Sequence, residues 1–144
     1  MTKVHFLGIG GSGASAAAAI AESQGFEVTG CDLEPHNEFT NQFKDSQLFT
    51  DHDPKHLISH PRGVTNAVDI LAVTPAIFSL DPNNPELLEA KKNSIPIMTW
   101  QQFLGEYLTK DKYVISVCGT HGKTTTTAMI AKLLEDAGLD PTVE

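Results

Sequence analysis

The sequence predicts an α/β protein: a Rossmann-like, mainly parallel sheet with flanking helices, followed by the first strand, phosphate loop and helix of a second domain. Three observations carry this expectation. Short apolar runs alternate with stretches of helical periodicity, the signature of repeated β-α units. A glycine-rich turn joins the first apolar run to the first helical stretch, and a glycine-lysine turn does the same near the carboxyl end. Both are strand-loop-helix junctions, the places where α/β proteins hold phosphates.

Val4 to Leu7 reads as the first strand and Ser12 to Gln24 as a helix, whose Ala14 and Ala16 to Ala19 form a small-residue face ahead of Gly25. Small side chains permit close approach to a sheet. Phe26 to Cys31 is the second strand, with Asp32 at its carboxyl end. Asn37 to Lys44 reads as a helix, Gln47 to Thr50 as a third strand, and Pro54 to His60 as a short helix stopped by Pro61. Val68 to Val73 is a strand broken only by Asp69 and followed by the turn Thr74-Pro75-Ala76. Pro85 to Asn93 is helical and Ile95 to Met98 extended. Trp100, Phe103, Leu104, Tyr107 and Leu108 then follow the i, i+3, i+4, i+7, i+8 rule, and Thr99 with Gln102 has capping-box spacing.

Lys110-Asp111-Lys112 makes a charged break, which sets a domain boundary: residues 1–110 before it and 111–144 after it. Tyr113 to Cys118 reads as a new strand. Lys123 to Ala137 is a helix with Met129, Ile130, Leu133 and Leu134 on one face and Gly138 as C-cap, and Pro141 to Glu144 begins another strand.

Ten basic against eighteen acidic residues give a net charge of −8. Such a field argues against a nucleic-acid or anionic-membrane surface, so any bound anion must be held by local geometry. The two cysteines, Cys31 and Cys118, form no pair by spacing, which fits a reducing compartment, with the cytoplasm as the default. No run approaches the roughly twenty apolar residues of a membrane span, and with no basic region followed by an apolar core near Met1, no export is expected.

The first chemical motif is Gly8-Ile9-Gly10-Gly11-Ser12-Gly13, a G-x-G-x-x-G directly between strand and helix. Glycine lets the backbone approach a diphosphate, and free amides at the helix start donate to it. Asp32, nineteen residues after Gly13, is placed to meet a ribose or base. The second motif is Gly119-Thr120-His121-Gly122-Lys123-Thr124, followed by Thr125. Its backbone suits a polyphosphate, Lys123 brings a cation to the β- and γ-phosphates, and the Thr124 hydroxyl suits Mg²⁺. Val117 stands where the standard G-x-x-x-x-G-K-[ST] pattern has its first glycine, so the loop is a shorter variant. A dehydrogenase would need only the first loop and a simple ATPase only the second.

With both loops in one sequence, the chain resembles the Mur ligases of peptidoglycan synthesis. The resemblance rests on His5-Phe6-Leu7-Gly8-Ile9-Gly10-Gly11, on Thr29-Gly30-Cys31-Asp32-Leu33, and on Cys118 through Thr127. It implies an amino-terminal UDP-sugar domain followed by the start of a central ATPase domain. It also implies ATP and Mg²⁺ as cofactors, and UDP-N-acetylmuramate and L-alanine as substrates, joined through an acyl phosphate. By the same resemblance Gly8, Ile9, Gly10, Gly11, Ser12, Gly13, Asp32, Thr74, Pro75 and Ala76 seat the UDP-sugar. Gly119, Thr120, His121, Gly122, Lys123, Thr124 and Thr125 hold ATP, with Lys123 and Thr124 catalytic and Thr124 on the metal. The family often has Ser-Ser-Ala-Ile at the turn where this chain has Thr74-Pro75-Ala76, and Pro75 removes a hydroxyl and an N–H there. Three alternatives stay open: a family member that joins a murein tripeptide to the same sugar, a non-catalytic UDP-sugar or dinucleotide module, and an NAD-linked enzyme. The 144 residues alone are expected to bind the UDP-sugar without turnover.

Other residues have plainer readings. His52, His56 and His60 at i, i+4 and i+8 beside Asp51 and Asp53 suggest a metal, but Pro54 and Pro61 confine the helix, and surface histidines are the expected outcome. Cys118 reads as buried packing at a strand end, Trp100 and Tyr107 as core, and Glu86, Glu89, Lys91 and Lys92 as a solvated helix face.

Overall fold

Five parallel strands in the order β3-β2-β1-β4-β5 organise residues up to Lys110. The structure, a computed structural model, describes residues 1–58 and 68–143. The strands are β1 (Lys3–Leu7), β2 (Glu27–Cys31), β3 (Leu48–Phe49), β4 (Ile70–Val73) and β5 (Ile97–Thr99). The helices of this unit are α1 (Ser12–Ser23), α2 (Lys55–Ile58), α3 (Ile77–Leu80), α4 (Pro85–Lys92) and α5 (Trp100–Phe103). From β1 the chain winds outward through β2 and β3, then returns to the other side of β1 for β4 and β5. The carboxyl ends of β1 and β4 therefore flank the point where strand order reverses, the crevice where open α/β sheets bind ligands.

Alternation along β1 sorts side chains between two cores. Val4 and Phe6 join Ala17, Ala18 and Ala21 of α1, together with Phe103 and Leu108. Of the expected alanine face Ala14, Ala17 and Ala18 bury, joined by Ala21, while Ala16 and Ala19 stay half-buried, so α1 lies close on the sheet along that stripe. Phe103 meets the edges of Phe6 and Phe26 with ring centroids 5.6 and 5.5 Å apart, a geometry worth about 1 kcal/mol beyond area burial. Leu7 and Cys31 face the other way, into a core with Leu57 of α2, Leu71 and Val73 of β4, and Leu87 and Ala90 of α4.

Local chemistry explains where elements begin. The Thr99 hydroxyl accepts from the Gln102 amide at 3.2 Å while the Gln102 side chain accepts from the Thr99 amide at 2.8 Å, so the capping box is complete. After Phe103 the helix widens to a π turn over Leu104–Leu108, closed by Thr109 N–H to Leu104 C=O at 3.0 Å. Asn84 caps α4, accepting from the Glu86 amide at 3.0 Å, with Pro85 following as the first helical residue.

Five expectations are corrected. Tyr107, expected in the core, is exposed, its ring stacked on Phe103. Asn37 to Lys44 forms turns rather than a helix. The Asn37 side chain takes the Phe39 amide at 2.9 Å, and the Thr40 hydroxyl takes the Asn37 amide at 3.0 Å, so side chains displace the helical ladder. The expected strand Tyr113 to Cys118 does not form: these residues join no sheet ladder among the described residues. Cys118 is exposed rather than buried. Glu86, expected on a solvated face, is fully buried, because α4 turns its first residues toward the sheet. The helix α3 was not anticipated. Of the expected helix Pro54 to His60 the structure shows Lys55–Ile58; His60 and Pro61 lie outside the described residues, as does Glu144.

Residues Asp111–Glu144 form a separate compact unit. It holds α6 (Lys123–Asp136), after which Gly138 adopts φ +79 and ends the helix with Gly138 N–H to Glu135 C=O at 2.9 Å and Leu139 N–H to Leu134 C=O at 3.0 Å.

Candidate functional site

The turn after β1 is built against three neighbours. Gly8 has φ +90, and a Cβ there would lie 2.6 Å from Thr74 Cγ2 at the end of β4. Only glycine satisfies both conditions. The Gly8 and Ile9 amides donate to the Cys31 carbonyl at 2.8 and 3.1 Å, tying the turn to the end of β2. The Gly10 amide donates to Asp32 Oδ2 at 2.9 Å, and Asn37 Nδ2 donates to the Gly10 carbonyl at 3.0 Å. Ile9 turns its side chain into the core. A Cβ on Gly13 would lie 2.5 Å from the Trp100 ring, so α1 and α5 touch through that glycine.

These bonds divide the loop into two parts. The amides of Gly8, Ile9 and Gly10 hold the loop together. The Gly11 amide makes only a long 3.5 Å contact to the Gly8 carbonyl, and the first α1 amide bonded along the helix is Ser15 to Gly11 at 2.9 Å. No side chain caps α1. Its first-turn amides, beginning at Ser12 and Gly13, therefore face outward with the positive end of the helix dipole. Thr74, Pro75 and Ala76 lie beside this opening, where Thr74 packs on Gly8 and Pro75 and Ala76 are exposed.

Asp32 has a different position from that expected of a ribose acceptor alone. Its carboxylate is half-buried, with Oδ2 on the Gly10 amide and Oδ1 on the Glu34 amide at 3.2 Å. It shapes the loop first. Sequence reasoning missed Asn37 and the contact of Trp100 with Gly13, since neither has a spacing signal.

In the carboxyl-terminal unit, Gly119 to Thr124 forms an exposed loop entering α6. Gly122 is the N-cap with φ +77, and no side chain caps the helix. Lys123 Nζ reaches back across the loop to the Gly119 carbonyl at 3.0 Å, which sets its charge over the loop beside the first-turn amides. Thr120, His121, Thr124 and Thr125 are all exposed on this loop and first turn. The donor set fits a polyphosphate: open amides, a helix dipole and a cation at one place.

Behind the glycine turn lies a polar cluster that the sequence reading did not assemble. Glu86 Oε1 is 2.8 Å from His56 Nδ1, and Glu86 Oε2 is 3.4 Å from His5 Nε2 and 3.2 Å from Cys31 Sγ. His52 Nδ1 also lies 3.3 Å from Cys31 Sγ. Burial opposes ionisation of Glu86, but the flanking His5 and His56 rings and the Cys31 thiol outweigh it and hold the carboxyl down at about 2. Burial and the Glu86 charge push the Cys31 thiol well up. Of the expected histidine row, His52 and His56 thus turn inward rather than outward, and His60 lies outside the described residues.

Comparison with known proteins agrees with this architecture. Residues 3–112 match the model of the Mur ligase family, catalytic domain. A UDP-N-acetylmuramate--L-alanine ligase of Clostridium perfringens is 39% identical over 141 residues, covering 98% of this chain and 29% of that protein. The enzyme of the same name from Clostridium kluyveri is 41% identical over 143 residues, with the same coverage. The chain thus spans less than a third of the length of these relatives. Among solved structures, MurC of Thermotoga maritima superposes with a TM-score of 0.76 at 32% identity, over 96% of this chain and 30% of that one. The UDP-N-acetylmuramate:L-alanyl-gamma-D-glutamyl-meso-diaminopimelate ligase of Neisseria meningitides gives 0.79 at 29% identity, over 96% and 40%. With its parallel sheet, its glycine turn at the switch point and a family match over most of its length, the chain belongs to the Mur ligase family.

Proposed function

We propose that this chain is the amino-terminal part of an ATP-dependent ligase that joins L-alanine to UDP-N-acetylmuramate in peptidoglycan synthesis. The observation that carries the reading is the open first turn of α1 at the β1/β4 switch point, with Ser12 and Gly13 amides uncapped. The relatives that bear this activity in their names support it. In the proposed reaction a carboxylate oxygen of the muramyl group attacks the γ-phosphorus of ATP and ADP leaves. The alanine amine then attacks the acyl carbon, and phosphate departs as the amide forms.

The roles divide by loop. Gly11, Ser12 and Gly13 bind the UDP diphosphate through backbone amides, and Asp32, already committed to Gly10, fixes the loop beside the nucleoside. Gly119 to Thr125 receives ATP, where Lys123 offsets charge on the transferring phosphoryl group. The exposed Thr124 hydroxyl would help hold Mg²⁺, which would supply charge neutralisation on the phosphates. Calorimetry of the 144 residues with UDP-N-acetylmuramate and with NAD tests the reading. Binding of the UDP-sugar in preference to NAD is the expected result, and the reverse preference overturns it.

A further inference from the structure

We propose that His5, Cys31, His56 and Glu86 form a Zn²⁺ site between the sheet and helices α2 and α4. One donor atom from each residue lies within 4.8 Å of the other three. A tetrahedral zinc ion with bonds of about 2.0 to 2.3 Å separates its ligands by roughly 3.3 to 3.8 Å. The Glu86 carboxylate stands 2.8 Å from His56 Nδ1 through Oε1, and 3.2 and 3.4 Å from Cys31 Sγ and His5 Nε2 through Oε2. The cluster therefore closes around an ion by small side-chain shifts.

The surroundings of the two imidazoles point the same way. His5 directs Nε2 into the cluster, and its Nδ1 lies 2.8 Å from Thr29 Oγ1. His56 directs Nδ1 into the cluster, and its Nε2 lies 3.3 Å from Asp51 Oδ1. Each ring thus offers one nitrogen inward while an oxygen orients the other, the usual arrangement around metal-bound histidine. Phe49 stacks on His56 with centroids 4.1 Å apart and holds that ring in place.

A purely hydrogen-bonded network leaves an atom unexplained. His5 Nε2 is buried without a well-formed hydrogen bond, its facing acceptor Glu86 Oε2 lying 3.4 Å away. A ring nitrogen left poorly met in a dry core is costly, and a metal ion would satisfy it. Charge also balances: a thiolate, a carboxylate and two neutral imidazoles around Zn²⁺ sum to zero, which limits the penalty of burial. The mixed sulfur, nitrogen and oxygen set suits zinc better than magnesium or calcium. His56, with its side chain 10% exposed, is the ligand nearest solvent and marks the side of entry.

The site touches the nucleotide turn through its own backbone. Cys31 supplies the carbonyl that accepts both the Gly8 and Ile9 amides. A metal on its sulfur would therefore brace the turn from behind.

Cobalt titration of tag-free, metal-stripped protein carrying Cys118→Ser tests the proposal, since that change removes the exposed thiol. One equivalent of Co²⁺ should bind with a sulfur-to-cobalt charge-transfer band and the strong visible bands of a tetrahedral ion, and Zn²⁺ should displace it. Cys31→Ser should abolish the charge-transfer band, and Thr29→Val should weaken binding by about tenfold. Circular dichroism reports whether each variant is folded. Absence of stoichiometric cobalt binding by folded protein, or an unchanged spectrum in folded Cys31→Ser, would overturn the assignment and leave a hydrogen-bonded cluster in its place.

Discussion

At the scale of single residues, Gly8 and Glu86 carry consequences out of proportion to their size. Gly8→Ala meets two separate penalties, a positive φ and a contact of 2.6 Å with Thr74 Cγ2. Together they should cost about 2 to 4 kcal/mol in chemical denaturation. Adding Thr74→Ser removes the clashing methyl but leaves the φ penalty, so the double variant should recover part of the loss. Full recovery would show that the backbone conformation costs nothing. Glu86 gives a pH signature in metal-free protein. Its carboxyl falls from 4.5 to about 2 in the folded state, so its contribution is present above pH 4.5 and lost as pH drops toward 2. The amount is of order 3 kcal/mol. Glu86→Gln should therefore be less stable than the parent at neutral pH, and the two stabilities should converge near pH 2.

At the scale of elements, what could be read from the sequence depended on whether the determining contacts were local. The Thr99/Gln102 box, the apolar run of β1 and the Pro85 start of α4 are local patterns, and each appears where the residues place it, as does the buried Ala14, Ala17 and Ala18 part of the α1 alanine face. Asn37 to Lys44 failed because Asn37 and Thr40 bond their own backbone, a competition that helical periodicity does not register. Glu86 was misread for a related reason. On α4 it looks like one charge among Glu89, Lys91 and Lys92, and only its partners on β1, β2 and α2 reveal its burial. The glycine turn was legible as a motif, but the sequence could not say that Gly8, Ile9 and Gly10 spend their amides on Cys31 and Asp32. Asn84 tests how far one cap positions this chemistry. Buried completely and bonded to the Glu86 amide and to Asp81, it should cost about 1 to 2 kcal/mol when replaced by alanine. Because the cap sets where α4 begins, Asn84→Ala should also weaken the cobalt binding described above.

At the scale of the whole molecule, the two glycine loops belong to separate compact units, and that separation makes the proposed division of labour testable. Lys123 bonds the Gly119 carbonyl within its own unit, while the Ser12 and Gly13 amides open at the head of α1. Lys123→Ala should therefore leave UDP-N-acetylmuramate affinity unchanged within about twofold. Gly13→Ala, by driving a methyl to within 2.5 Å of the Trp100 ring, should lower that affinity by about tenfold or more, since a displacement of α1 misaligns every amide in its first turn. The net charge of −8 makes the comparison sharper. A dianionic diphosphate gains nothing from the overall field, so its affinity must come from those few oriented amides, and added salt should not weaken binding as it would on a basic surface. Amide formation is a separate matter. In the carboxyl-terminal unit α6 has no fully buried residue, with Met129 and Leu133 64% and 68% exposed. Titration should accordingly show UDP-sugar binding by this chain with no alanine ligation in the presence of ATP and Mg²⁺. Measurable ligation would mean that the Lys123 loop acts without further structure around it.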